Sequence, residues 1–214
     1  MSKQIKVVFE NVSKKFAGEW VLKDQSFTIN PAEKIAILGP NGSGKSTFLQ
    51  MIAGYISPTK GKISFYADDI LVEDENVFRY ISLAAPYLEL IEEYTLEEMV
   101  IFHFGFKKII GGLGTEDVVE RSGLKESKHK AIKNFSSGMK QRLKLTLAIM
   151  SDAPLLLLDE PLSNLDEAGE KFYSEMLNDF SAVRTVVVCS NMNQKEFGFC
   201  ERKIELKKTE PKIA

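Results

Sequence analysis

The chain has 214 residues, 44% of them hydrophobic and 27% charged, the composition of an ordinary soluble globular protein long enough to bury a substantial core. Its 28 basic residues against 30 acidic ones leave a formal net charge of −2, which excludes a general electrostatic pull toward nucleic acid or anionic lipid. No apolar run approaches the roughly 18 residues that a membrane span requires, so any membrane role has to come through a partner.

In chain order, residues 5–10 and about 21–29 read as strands of an N-terminal antiparallel sheet. Lys34-Ile35-Ala36-Ile37-Leu38 follows as a buried strand and runs into Gly39-Pro40-Asn41-Gly42-Ser43-Gly44-Lys45-Ser46-Thr47, which fits the phosphate-loop pattern G-x-x-x-x-G-K-[ST]. The next residues, Ser46 to Ala53, read as the first turns of a helix, so the motif has the strand–loop–helix context it needs. Glycines let successive backbone N–H groups turn inward around phosphates, and the helix N-terminus adds partial positive charge. Lys45 would neutralise phosphate oxygens, and the Ser46 hydroxyl would ligate Mg²⁺. The expected ligand is a nucleoside triphosphate.

Gly54 and the stretch 57–61 mark a helix stop and a turn, after which Lys62–Tyr66 and about 79–84 read as strands. A helix-rich segment spans about 87–135, opening at Thr95-Leu96-Glu97-Glu98, where Thr95 with Glu98 fits a capping box. Helices are expected at about 137–150 and 166–180, and buried parallel strands at Leu155–Leu158 and Thr185–Val188, followed by a Lys-rich tail. This alternation predicts an α/β protein: a P-loop core with a parallel sheet, an N-terminal antiparallel β subdomain and a small helical subdomain, in one domain over 1–214. Cys189 and Cys200, with no signal-like N-terminus, read as reduced thiols of a cytosolic protein.

The strand Leu155–Leu158 ends in Asp159-Glu160-Pro161. An apolar strand ending in Asp is the usual second half of a phosphate-loop ATPase site, because the carboxylate meets the Mg²⁺ shell from the strand end. Glu160 would then face the attacking water as general base or positioning group.

With these motifs in place, the sequence resembles the ATP-binding cassette family, the nucleotide-binding subunits of ABC transporters. Asn134-Phe135-Ser136-Ser137-Gly138-Met139-Lys140-Gln141-Arg142 is similar to the family signature LSGGQ followed by basic residues, and Ser136 stands 23 residues before Asp159. The resemblance implies that Ser136 and Gly138 touch the γ-phosphate of ATP held by the opposite subunit. It likens Ser163-Asn164-Leu165-Asp166 to the family's D-loop and puts Phe16 where an aromatic residue stacks on adenine, with Trp20 as a rival. It also implies ATP and Mg²⁺ as cofactors, a head-to-tail homo- or heterodimer, separate transmembrane permease subunits docked on the 87–135 segment, and a place on the inner face of the cell membrane. Nucleic acid is not an expected partner.

Two positions depart from the family pattern. Ile81-Ser82-Leu83-Ala84-Ala85-Pro86-Tyr87 lacks the Gln that normally reaches Mg²⁺, leaving Tyr87 or Glu89 to take up part of its role. Cys189-Ser190-Asn191-Met192 puts Asn191 where the family has His; an amide can donate to the γ-phosphate but cannot take a proton. The only histidines, His103 and His129, lie in the helical segment and are read as surface or core residues. The expectation is a transport ATPase, exporter-like in its Met139–Arg142 tail, with Glu160, Lys45 and Asn191 catalytic and a slower turnover than usual. Two other readings stay open: a soluble cassette outside transport, and a regulatory cassette that binds ATP and turns it over slowly.

Overall fold

The computed structural model describes residues 4–207. Two long strands, β1 (Ile5–Phe16) and β2 (Glu19–Ile29), join β4 (Lys60–Ala67) and the short β5 (Ile70–Leu71) in an antiparallel sheet of order β2-β1-β4-β5. A second sheet, of order β6-β7-β8-β3-β9, is built from β3 (Lys34–Leu38), β6 (Ile81–Ala84), β7 (Leu155–Asp159), β8 (Thr185–Ser190) and β9 (Arg202–Glu205), and all its pairings are parallel.

The apolar runs of the central strands divide between two cores by the two-residue period of a strand. Ile35, Ile37, Leu155, Leu157, Val187 and Cys189 face one core, shared with the antiparallel sheet and with helix α1 (Lys45–Ile52). Ala36, Leu38, Leu156, Leu158, Val186 and Val188 face the other, shared with the later helices. Both faces are covered, so neither side of the run can be polar. In the first core the rings of Phe9, Phe27 and Phe48 stack at 4.5–5.7 Å, locking α1 between the two sheets.

The central segment contains α2 (Leu96–Phe106) and α3 (Thr115–Arg121), linked by one 3₁₀ turn at Ile110–Gly112. The capping box forms as expected: the Glu98 N–H donates to Thr95 Oγ1 at 3.3 Å, and the Thr95 N–H donates to Glu98 Oε2 at 2.8 Å. Helices α4 (Ser137–Met150), α5 (Glu167–Phe180) and the short α6 (Gln194–Phe197) complete the fold. Several boundaries differ from the sequence expectation, and β1, expected over 5–10, runs on to Phe16. The strand predicted from 79 starts at Ile81, because 74–80 forms a 3₁₀ turn. The Lys-rich tail contributes β9, an edge strand whose Arg202, Lys203 and Glu205 side chains mask its period.

His103 on α2 packs inward, with Nε2 3.0 Å from Ser151 Oγ. Burial, with the Lys107 ammonium adding to it, lowers its pKa from 6.5 to about 4. The folded protein keeps the ring neutral where the unfolded chain protonates it. Its contribution is therefore complete above about pH 6.5 and is lost as pH falls toward 4, by up to about 3 kcal/mol. Denaturant titrations at pH 7 and pH 4.5 test this: wild type is expected to lose more stability than His103→Asn, and equal losses would refute it.

Candidate functional site

Four loops leave the carboxyl ends of four adjacent parallel strands, and the candidate residues sit on them. After β3 comes the phosphate loop, after β7 Asp159 and Glu160, after β8 Asn191, and after β6 the turn containing Tyr87. This is the edge at which open parallel sheets bind ligands.

The phosphate loop can form only with glycine at two of its positions. A Cβ on Gly39 would lie 2.5 Å from Leu206 O and from Ser43 Oγ. Gly44, at φ +95°, caps α1, and a Cβ there would lie 2.9 Å from Val21 Cγ1. The same contact sets β2 against the loop and brings the β1–β2 hairpin, with Phe16, to that side of the site. Lys45 is 5% exposed; its Nζ donates to Gly39 O at 2.8 Å and to Pro40 O at 3.3 Å, which ties the loop closed. The first-turn amides of α1, from Lys45 onward, have no intrahelical acceptor and point at the mouth of the loop with the positive end of the helix dipole.

Asp159 ends β7 almost fully buried, at 1% exposure, and neither of its carboxylate oxygens has a hydrogen-bond partner among the described residues. Burial pushes its pKa up, while the nearby Ser46 hydroxyl and Lys45 ammonium act the other way. A buried carboxylate with both oxygens free is costly unless a cation or donor completes it. Among the described residues no group of three His, Cys, Asp or Glu side chains converges to hold a metal by itself. One carboxylate beside one hydroxyl, under a phosphate cradle, is the donor set that suits Mg²⁺, which fills its shell with phosphate oxygens and water. Ser43 Oγ is likewise buried and unpartnered inside the loop.

Glu160 follows at φ +43°, its N–H donating to Cys189 O at 2.9 Å and its side chain 4.0 Å from Lys45 Nζ. The turn is closed by the Ser163 N–H on Glu160 O at 3.0 Å and is tied to α4 by Gln141 Nε2, which donates to Pro161 O at 2.8 Å. Asn191 is exposed and borders a cavity of about 450 Å³ with Gly39, Pro40 and Leu206, so it stands beside the start of the phosphate loop.

The remaining sequence candidates lie further out. Phe16 is 45% exposed with Lys14 Nζ 4.8 Å above its ring; Trp20 lies between Lys15 and Lys60, at 5.6 and 5.5 Å. Ser136 caps α4, accepting the Met139 N–H at 3.2 Å. Ser136 and Gly138 open into a separate cavity of about 390 Å³, walled by Asn164, Leu165 and Asp166, and no phosphate-loop residue lines it. The two halves of the predicted site therefore face outward apart from each other within one chain.

One residue here was hidden from sequence reasoning. Gln50 lies one helical turn past Ser46 on the same face of α1 and near Tyr87; desolvation and the Asp159 charge push the Tyr87 pKa up, while the Gln50 side chain acts the other way. The Tyr87 phenol, named above for part of the missing Gln's role, thus feels the Asp159 charge. Its loop is held by Lys144 Nζ of α4, donating to Pro86 O at 3.2 Å. The i, i+4 spacing of Ser46 and Gln50 was the one available signal.

The ABC transporter family model matches residues 22–163. The uncharacterized ABC transporter ATP-binding protein YxlF of Bacillus subtilis (strain 168) is 32% identical over 204 residues, which cover 94% of this chain and 68% of that protein. The spermidine/putrescine import ATP-binding protein PotA of Protochlamydia amoebophila (strain UWE25) is 35% identical over 184 residues, 85% of this chain and 48% of that protein. The chain thus spans about two thirds of the first relative and about half of the second. A bacterial ABC transporter cassette solved as a dimer superposes with a TM-score of 0.77 at 26% identity, over 94% of both chains.

Proposed function

This chain belongs to the ABC transporter family of ATP-binding proteins, and from that premise we propose that it hydrolyses ATP to energise transport through separate membrane subunits. The observation that carries this is the buried, unpartnered Asp159 carboxylate set beside Ser46 and below a lysine-closed phosphate loop, with Glu160 at its side. Residues 39–47 wrap the β- and γ-phosphates, Lys45 turns from its loop carbonyls to phosphate oxygens, and Phe16 stacks on the base. Ser46 and Asp159 would hold Mg²⁺, which would supply neutralisation of phosphate charge. Glu160 holds the attacking water and accepts its proton, and the Asn191 amide donates to the γ-phosphate.

Ser136 and Gly138 face away from the chain's own phosphate loop, so they serve the ATP of a second cassette in a head-to-tail dimer. Turnover is slow, because an amide at Asn191 and a phenol at Tyr87 replace the usual His and Gln. The exporter-like tail Met139-Lys140-Gln141-Arg142 favours export, although the relative PotA is named for import.

Among the described residues no helix is long and apolar enough to cross a membrane. The docking face for membrane subunits is the groove of about 640 Å³ between Pro86–Glu93 and α4, continued by the exposed aromatics of α2. There Tyr94, Phe102 and Phe106 form an edge-to-face ladder at 5.6 and 5.3 Å, with Phe106 78% exposed. Purification of the tagged chain from detergent-solubilised native membranes is expected to recover a stoichiometric multi-span protein. The double variant Phe102→Ser/Phe106→Ser is expected to lose that protein about tenfold or more with an unchanged yield of its own chain. Recovery of wild type from the soluble fraction alone would overturn the transport reading.

A further inference from the structure

We propose that Glu196 is a positioning residue for hydrolysis, a buried carboxylate that fixes the turn carrying Glu160 to the strand end carrying Asn191. The inference rests on the reading of Glu160 and Asn191 given above and adds a residue that the phosphate-loop, signature and D-loop motifs do not contain.

Glu196 lies in α6 and is 4% exposed. Its Oε1 accepts the Leu162 N–H at 3.1 Å, two residues past Glu160 and inside the turn that Ser163 closes on Glu160 O. Its Oε2 pairs with Ser190 Oγ, the residue immediately before Asn191. Ser190 Oγ in turn accepts the Asn193 N–H at 3.2 Å, so its own hydrogen is directed to the carboxylate. The α6 backbone is held as well, since Tyr173 OH donates to Glu196 O at 2.8 Å. One side chain therefore joins the two loops that frame the position of the γ-phosphate.

The electrostatics argue against a merely convenient filler. Glu160 and Asp159 face Glu196 from the end of β7, Cys189 from β8 and Tyr173 from α5, and no lysine or arginine forms an ion pair with it among the described residues. Burial raises its pKa, with Glu160 and Asp159 adding to the rise, while the bonds from Ser190 and Leu162 pull it down. An acid buried beside two acids destabilises the fold, and an apolar side chain would avoid that cost. What the carboxylate supplies is a pair of directed acceptors for two different loops. On its far side the same turn is held by Gln141 of α4, so Glu196 is the fixed edge against which Glu160 is set. Misplacement of a reacting group by about 1 Å costs on the order of 10²-fold in rate.

The test compares wild type, Glu196→Ala, Glu196→Gln and the control Glu160→Gln, measuring kcat, KM for ATP, the melting temperature and hydrogen exchange of the peptide containing Leu162. Glu196→Ala is expected to lower kcat by about 10- to 100-fold with KM within about threefold, and to speed exchange at Leu162. Glu196→Gln can still accept from Leu162 and donate to Ser190 Oγ, and is expected to recover kcat to within about threefold of wild type. Should Glu196→Ala not fold, Ser190→Ala removes the second bond, together with the acceptor of the Asn193 N–H, while keeping the Leu162 bond, and is expected to lower kcat by about threefold or more. Wild-type kcat in Glu196→Ala, or a Glu196→Gln as impaired as the alanine variant, would overturn the proposal. Full turnover in Glu160→Gln would instead remove the reading of the hydrolytic centre on which it rests.

Discussion

Replacing Glu160 by Gln is expected to lower ATP turnover by about 10²- to 10⁴-fold while leaving ATP affinity within a few-fold of wild type. The side chain is partly open to solvent and stands 4.0 Å from Lys45 Nζ, close enough to the phosphate mouth to hold a water there. Gln keeps its size and its ability to accept a hydrogen bond but cannot take a proton. The backbone supports a functional role: φ +43° at a non-glycine residue costs on the order of 1–3 kcal/mol, and the turn is nevertheless held by Cys189 O, Gln141 and Ser163. Phosphate release at saturating ATP, beside equilibrium binding of a fluorescent ATP analogue, measures the two quantities separately. A parallel fall in both would assign Glu160 to nucleotide binding instead.

Lys45→Ala carries the second large effect, on affinity. The ammonium is nearly buried and donates to two loop carbonyls, so its removal takes away a charge facing the phosphates and also loosens the loop that presents the amides. One charge-assisted hydrogen bond contributes about 1.5–3 kcal/mol, which is roughly a 10- to 150-fold rise in Kd for ATP. Gly39 O, left without its donor, adds a stability loss on the order of 1 kcal/mol. Titration with the same analogue reads the affinity, and an unchanged Kd would mean that phosphate does not sit in this loop. Lys45→Arg is expected to rescue little, because a planar guanidinium cannot occupy the compact position between Gly39 O and Pro40 O.

Much of the fold was legible because its strongest signals are local. The runs at 34–38, 155–158 and 185–188 are apolar on both strand faces, which marks central strands of a covered parallel sheet. Thr95 with Glu98 announced a helix start through the chemistry of its capping box. The edge strand Arg202–Glu205 was not legible, since an edge strand need bury little and its charges hide the period.

The same division runs through the site. The phosphate loop, Asp159 and Glu160 are contiguous motifs whose spacing carries their chemistry. The Gln50–Tyr87 pair and the Glu196 bridge join residues that only the sheet topology brings together, and a Gln in a helix or a Glu in a short surface-like segment reads as ordinary polarity. Sequence patterning also could not show that Ser136 and Gly138 open away from residues 39–47, a geometry that follows from where α4 packs.

We expect this chain to turn over ATP at the phosphate loop with the help of a divalent cation beside Asp159. The most direct test is steady-state phosphate release by the purified wild-type chain in Mg²⁺-ATP, with and without a chelator. Slow release that stops when the cation is removed is expected. Release no faster than from ATP alone, or release indifferent to the chelator, would contradict it.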